Sequence, residues 1–303
     1  MNKKLTKFDI FFVFGFIFSL VVGVAAFFYG LQVGKEQTEA KYALVIEELT
    51  LSRDEQSSSY QQQQLVSFYH TVLQPFQEFR STWFRHMQTI EAGGGATDED
   101  DLLKELKRLA QEISGEIKPT TVPESSTLLR NSQTDFLRSL TLFSDAVDRL
   151  QNGPGGARLA EAMRTDEIVL EAASFALKAQ SGFYEAIWMW HLGMFPDAGE
   201  GLPMDLEELT FKEWATLPLN AKNVVISRML SGIGEFTPFY PQDAAARIDE
   251  LIASGQAELL AAPEVSALLK TIVAAGAVRA DDFYLSKNKL YKQETLPQLP
   301  FFH

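Results

Sequence analysis

The chain has no cysteine among its 303 residues. Disulfide frameworks, thiolate metal sites and cysteine nucleophiles are thereby excluded. Histidine is scarce, with His70, His86, His191 and His303 the complete set. A Ser-His-Asp hydrolase needs one of these beside a serine on a sharp turn, and no G-x-S-x-G occurs. H-E-x-x-H, E-x-x-H and calcium-loop patterns are missing too. His70 and His86 fall about 160° apart around a straight helix and cannot share a metal. Gly232-Ile233-Gly234 lacks the third glycine and the preceding strand of a nucleotide cradle, so it reads as a helix end. No catalytic residue, cofactor or metal ligand is assigned, and the chain reads as non-enzymatic. Basic residues are in deficit, 27 against 40 acidic, which speaks against nucleic acid and against docking on anionic lipid headgroups. Alternating apolar and polar runs are absent, which leaves an all-α fold as the expectation.

What the sequence does contain, first of all, is an apolar run from Ile10 to Leu31 with Ser19 as its one small polar residue. At helical rise it reaches about 33 Å, enough to cross a hydrocarbon core of about 30 Å. Lys3, Lys4 and Lys7 precede it, and the charges of Lys35, Glu36 and Glu39 nearly cancel after it. Positive charge on the short side predicts residues 1–9 in the cytoplasm, 10–31 as a single-pass anchor contacting lipid, and the main body outside the cell membrane. Without Lys3, Lys4, Lys7 and Asp9 the remainder carries 24 basic and 39 acidic residues. A cleavable signal is the competing reading, since Gly23-Val24-Ala25 offers small residues. The run outlasts a usual h-region, which favours an anchor, and either reading exports the body. An exported chain without disulfides points to a Gram-positive surface.

Residues 32–64 form a polar stalk. Tyr42, Val45 and Leu49 begin a coiled-coil seam, but Ser52, Gln56 and Ser59 would have to continue it. From Leu65 the pattern sharpens: Leu65, Phe68, Val72, Phe76, Phe79, Trp83, Met87 and Ile90 recur at steps of three and four. Pro75 should kink this helix or restart it, and Gly93-Gly94-Gly95 ends it. Thr97 and Asp100 resemble a capping box for a helix expected to stop at Gly115. A further helix carries Leu129, Ser132, Phe136, Leu140, Phe143, Val147 and Leu150 at helical spacing, and Asn152 to Gly156 breaks the chain. Next comes a helical stretch to about Met194, divided near Thr165, whose Ala172, Ala173, Ala176 and Ala179 allow close contact. The expectation is an antiparallel bundle over 65–195 and a smaller helical region over 205–303. In that region Thr210 and Glu213 read as a capping box, Asp281-Asp282 as solvated surface, and the last 20 residues as a tail either docked by its aromatics or loose.

The run Leu65-Val66-Ser67-Phe68-Tyr69-His70-Thr71-Val72-Leu73-Gln74-Pro75-Phe76, placed after a single anchor, resembles uncharacterised membrane-anchored helical proteins of Gram-positive bacteria. The resemblance covers the anchor, this helix and the helix from Ser126 to Leu150. It implies the layout and transfers no catalytic residue.

Two features bear on partners. Phe183 to Phe195 is apolar around nearly the whole helix, and its Trp188, Met189, Trp190 and His191 are read either as core or as a partner surface. Within the anchor, Gly15, Ser19, Gly23, Ala26, Gly30 and Gly34 share one side at steps of three and four. Such a stripe lets helices approach closely, as a homodimer or with another membrane protein. The functional expectation is an interaction or scaffold module of the cell envelope, with a single-pass sensor of a membrane partner as the alternative.

Overall fold

A computed structural model describes residues 60–93, 96–195, 202–203, 205–260 and 264–302. Among the described residues there is no β-strand, only an isolated bridge between Thr210 and Glu264, and no helix is long and apolar enough to cross a membrane. The expected anchor with its small-residue stripe, and the expected stalk up to residue 59, lie outside the described residues.

Helix α1 (Gln62–Phe68) runs through a π-turn (Tyr69–Leu73) into α2 (Gln74–Glu91). The expected kink at Pro75 takes this form. Proline has no N–H for Thr71 and its ring would press on that carbonyl. A widened turn, in which the Gln74 amide reaches back to Tyr69, lets the helix pass. The bundle begins before Leu65: Tyr60 is buried, its hydroxyl accepts from the Leu128 amide, and the Ser126 hydroxyl donates to Gln64.

Helix α3 (Ala96–Ile117) starts before Thr97 and runs two residues past Gly115. A mid-helix glycine costs only about 1 kcal/mol, and the buried Ile113 and Ile117 hold the last turn in the core. Helices α4 (Thr127–Leu150), α5 (Ala157–Thr165) and α6 (Glu167–Met194) follow. Asp166 caps α6 by accepting from the Ile168 amide, which is why the chain divides beside Thr165. The break before α5 is tied to α3. The buried Glu99 carboxylate accepts from the Gly156 amide at 3.1 Å, and a Cβ on Gly155 would fall 2.7 Å from the same carboxylate. Gly156 itself sits at φ 65°, ψ −143°, a region open almost only to glycine. Gly156→Ala is expected to lower unfolding free energy by about 1–3 kcal/mol, measured by urea titration.

Paired side chains give the directions. Asp135 with Lys178 and Ser139 with the Ala172 carbonyl set α4 antiparallel to α6. Lys107 with Asp148 and Gln111 with Ser144 set α3 antiparallel to α4. Phe76 on Phe136 and Trp83 on Phe143 set α2 parallel to α4. The α4–α6 pair makes the widest helix contact, as the buried Ala172, Ala173, Ala176 and Ala179 allow.

Beyond residue 204 come α7 (Phe211–Thr216), α8 (Leu219–Ile233), α9 (Pro241–Ala253), α10 (Gln256–Leu259), α11 (Val265–Ala274) and α12 (Asp282–Leu290). The Thr210–Glu213 capping box is present, and Gly234 ends α8 in the left-handed conformation. Helix α8 is buried continuously from Leu219 to Ser227 and lies against α6 and α9.

No helix is expected over α12, whose residues from Tyr284 on read as tail. Only Phe283 and Ser286 of this helix are buried, while Tyr284 and Leu285 face outward, so no apolar stripe announces it. Asp282 accepts from the Arg279 amide and thus starts the helix, and Lys287 and Lys289 suit its C-terminal end. The tail after it is docked: Leu299 and Phe302 are buried, and Phe301 meets Tyr69, Phe183, Tyr184 and Tyr240.

Candidate functional site

The four residues read as core or partner surface do not share one environment. Trp188, Trp190 and His191 are buried, and Met189 is 41% exposed. Outward apolar area at this end of α6 comes from Met189, Met194 and Phe195. His191 stacks on Trp188, and its Nδ1 accepts from Asn220 at 3.0 Å. Burial holds this imidazole below the usual histidine range, against a raising contribution from the Thr295 backbone. His86, also buried, donates from Nε2 to Glu105 across α2 and α3, yet desolvation outweighs that carboxylate and lowers its pKa.

A concavity among polar residues lies between α4, α6 and α8, a cleft of about 420 Å³. Leu128, Asn131, Ser132 and Asp135 line it from α4, and Lys178, Ser181, Gly182 and Glu185 from α6. Both sets follow i, i+3, i+4, i+7, the spacing that puts residues on one helix face. Helix α8 adds Arg228, Ser231 and Gly232. The floor is low because its side chains are small or absent. A Cβ on Gly182 would come within 2.5 Å of the Ser132 hydroxyl, so glycine sets the close approach of α4 and α6 here.

An ion pair stands at each end of the cleft. Lys178 meets Asp135 at 3.0 Å, and Arg228 meets Glu185 at 2.8 Å. Lys178 and Glu185 are seven residues apart, about 10 Å along the helix. Such half-exposed pairs add little stability, but they present two cations and two anions that can exchange partners with a charged guest. No histidine lines the cleft, and the Ser132 hydroxyl has no hydrogen-bond partner, so the arrangement offers complementarity and no activated nucleophile. The cleft is not apparent from the sequence. The available signal was the matched series of small and polar residues on the buried helices α4 and α6.

Two buried polar centres lie elsewhere. In the first, Asp249 on α9 accepts from Trp214 at 2.6 Å, from Lys222 at 2.9 Å and from the Tyr291 hydroxyl. Lys222 also lies over the Trp214 ring. Burial pushes the Tyr291 phenol well above its ordinary range, and Asp249 adds to that shift. In the second, Asp243 accepts from the Tyr240 and Phe283 amides and so joins the starts of α9 and α12. Desolvation raises its pKa to about 6, against both hydrogen bonds. Among the described residues no group of three His, Asp or Glu is placed to hold a metal ion.

The described body belongs to the class of all-α helical bundles. Comparison of the chain with protein-family models, curated proteins and solved structures returned no match.

Proposed function

We propose that this protein is a non-enzymatic, membrane-tethered module that works on the outer side of the membrane and holds a charged polypeptide partner of the envelope in the α4–α6–α8 cleft. The observation that carries the reading is the cleft itself, with cation and anion at each end of a low floor and no nucleophile–base pair. The apolar run 10–31 and the lysines before it support the tether and its direction. A body with net negative charge favours protein partners over nucleic acid. The sensor reading draws support from the π-turn at Tyr69–Leu73, because such turns accompany functional sites and this one touches the docked Phe301.

The test uses the full chain in cells. A reporter fused after His303 should be active only in its extracytoplasmic form. A photo-crosslinker at the exposed Asn131 should capture one envelope protein, and Arg228→Glu, which sets two carboxylates side by side, should cut that capture about tenfold. Activity confined to a cytoplasmic reporter would remove the tether. Capture indifferent to Arg228→Glu would remove the cleft.

A further inference from the structure

Arg80 projects from α2 into the body and is 5% exposed. A guanidinium stays charged at any pH a folded protein meets and carries five N–H donors. Its Nη1 donates to Gln180 Oε1 at 3.1 Å, and its plane covers the Tyr240 ring at 4.2 Å. Both partners are neutral. The arginine–carboxylate pairs of the described residues belong to Arg108, Arg138, Arg149, Arg164, Arg228 and Arg247. Among the described residues Arg80 thus makes no direct ion pair; the buried Asp243 acts on the same Tyr184 phenol but is bonded to the Tyr240 and Phe283 amides instead. Burial without an ion pair is costly.

A crevice of about 10 Å³ opens beside it, lined by Arg80, Gln77, Gln180 and Thr237 with Phe76 and Phe136 among its apolar walls. That is room for one guest of water-to-halide size. Apolar walls keep the local dielectric low, where attraction between a cation and an anion is strongest. The distant acidic surface is screened by salt beyond about 10 Å and opposes entry only weakly. The geometry points to a small monovalent anion, chloride in size, held in this crevice by Arg80 with the amides of Gln77 and Gln180 beside it. It completes the charge balance where α2, α4 and α6 meet the α8–α9 loop. The site is separate from the partner cleft and does not depend on it.

The test is thermal unfolding of the full chain in detergent, in sodium chloride and in sodium gluconate at equal ionic strength. The midpoint should be higher in chloride by about 3 °C, with bromide acting alike. Arg130→Gln, at an exposed position, should keep the difference, and Arg80→Gln should abolish it. Gln77→Glu tethers a carboxylate in the same crevice. That variant should unfold in gluconate as late as the parent does in chloride, and should not respond to chloride. The chloride nuclear resonance should broaden more with the parent than with Gln77→Glu, a comparison that stands even where Arg80→Gln fails to fold. Equal midpoints in the two salts would show that the crevice holds only water and would overturn the site. So would a chloride response that survives in Arg80→Gln, or equal line widths for the parent and Gln77→Glu.

Discussion

Asp249→Asn is expected to cost about 3–5 kcal/mol of unfolding free energy, one of the two largest effects of any single substitution described here. The carboxylate of Asp249 receives Trp214, Lys222 and Tyr291 together, and the side chains of both Lys222 and Asp249 are mostly buried. An amide in its place keeps the shape but turns a donor toward donors and leaves the Lys222 ammonium without its charge partner. The buried Asn220 and Asn223, in the first two turns of α8, already leave amide atoms unpaired, so this end of the helix carries unsatisfied polar groups before any substitution. Urea titration of the full chain measures the cost. The double variant Lys222→Met, Asp249→Leu should recover part of it, because removing both charges also removes the penalty of stranding one. A cost below about 1 kcal/mol for Asp249→Asn would mean that the pair behaves as an exposed one.

Phe302→Ala is expected to cost a similar amount, about 3–5 kcal/mol, through lost burial and the cavity left behind. Phe302 is fully buried against Phe283 of α12 and against Phe301, and its carbonyl accepts from Lys287. Phe301→Ala should cost less, since that ring is only partly buried. Its effect should spread differently: Phe301 joins Tyr69 of the π-turn to Tyr184 and Tyr240, so amide exchange should quicken at the π-turn and the start of α9. Helices α3 and α4, which pack through other residues, should keep their protection. Unchanged exchange at the π-turn would show that the tail rests on the surface without holding it.

Much of the bundle was legible because its signals are local. The steps of three and four from Leu65 to Ile90 and from Leu129 to Leu150 each predict one buried face, and every residue named is buried. Pro75 announced a disturbance but not its kind. Whether a proline yields a kink, a restart or a π-turn depends on whether the core can hold the helix on both sides, here with Phe68 and Phe76. Gly115 was a weaker stop than it looked because the burial of Ile117 outweighs the propensity of one glycine. Helix α12 was hidden because it buries only two side chains, and its start depends on Asp282 capping its own first turn.

The cleft and the Arg80 crevice were not legible, for a different reason. Asp135, Lys178, Glu185 and Arg228 each look like an ordinary charged residue, and only the antiparallel pairing of α4 with α6 brings Asp135 to Lys178. Arg80 looks in sequence like any charge on an amphipathic helix; its burial under Tyr240 requires the α8–α9 loop to fold back across α2. The same holds for His191 and the tryptophans beside it. Their apolar surroundings suited core and partner surface equally, and the packing of α6 against α8 turned Trp188, Trp190 and His191 inward while leaving Met189 out.

The sequence by itself determined the all-α class, the places where most helices begin and end, and the absence of cysteine chemistry, since these follow from residue type and spacing along one strand of chain. Tertiary structure alone decided which charges are buried, which of them are paired, and where a partner or an anion finds room. Those properties depend on residues far apart in the chain, such as Asp135 and Lys178 or Arg80 and Tyr240, reaching the same few ångströms.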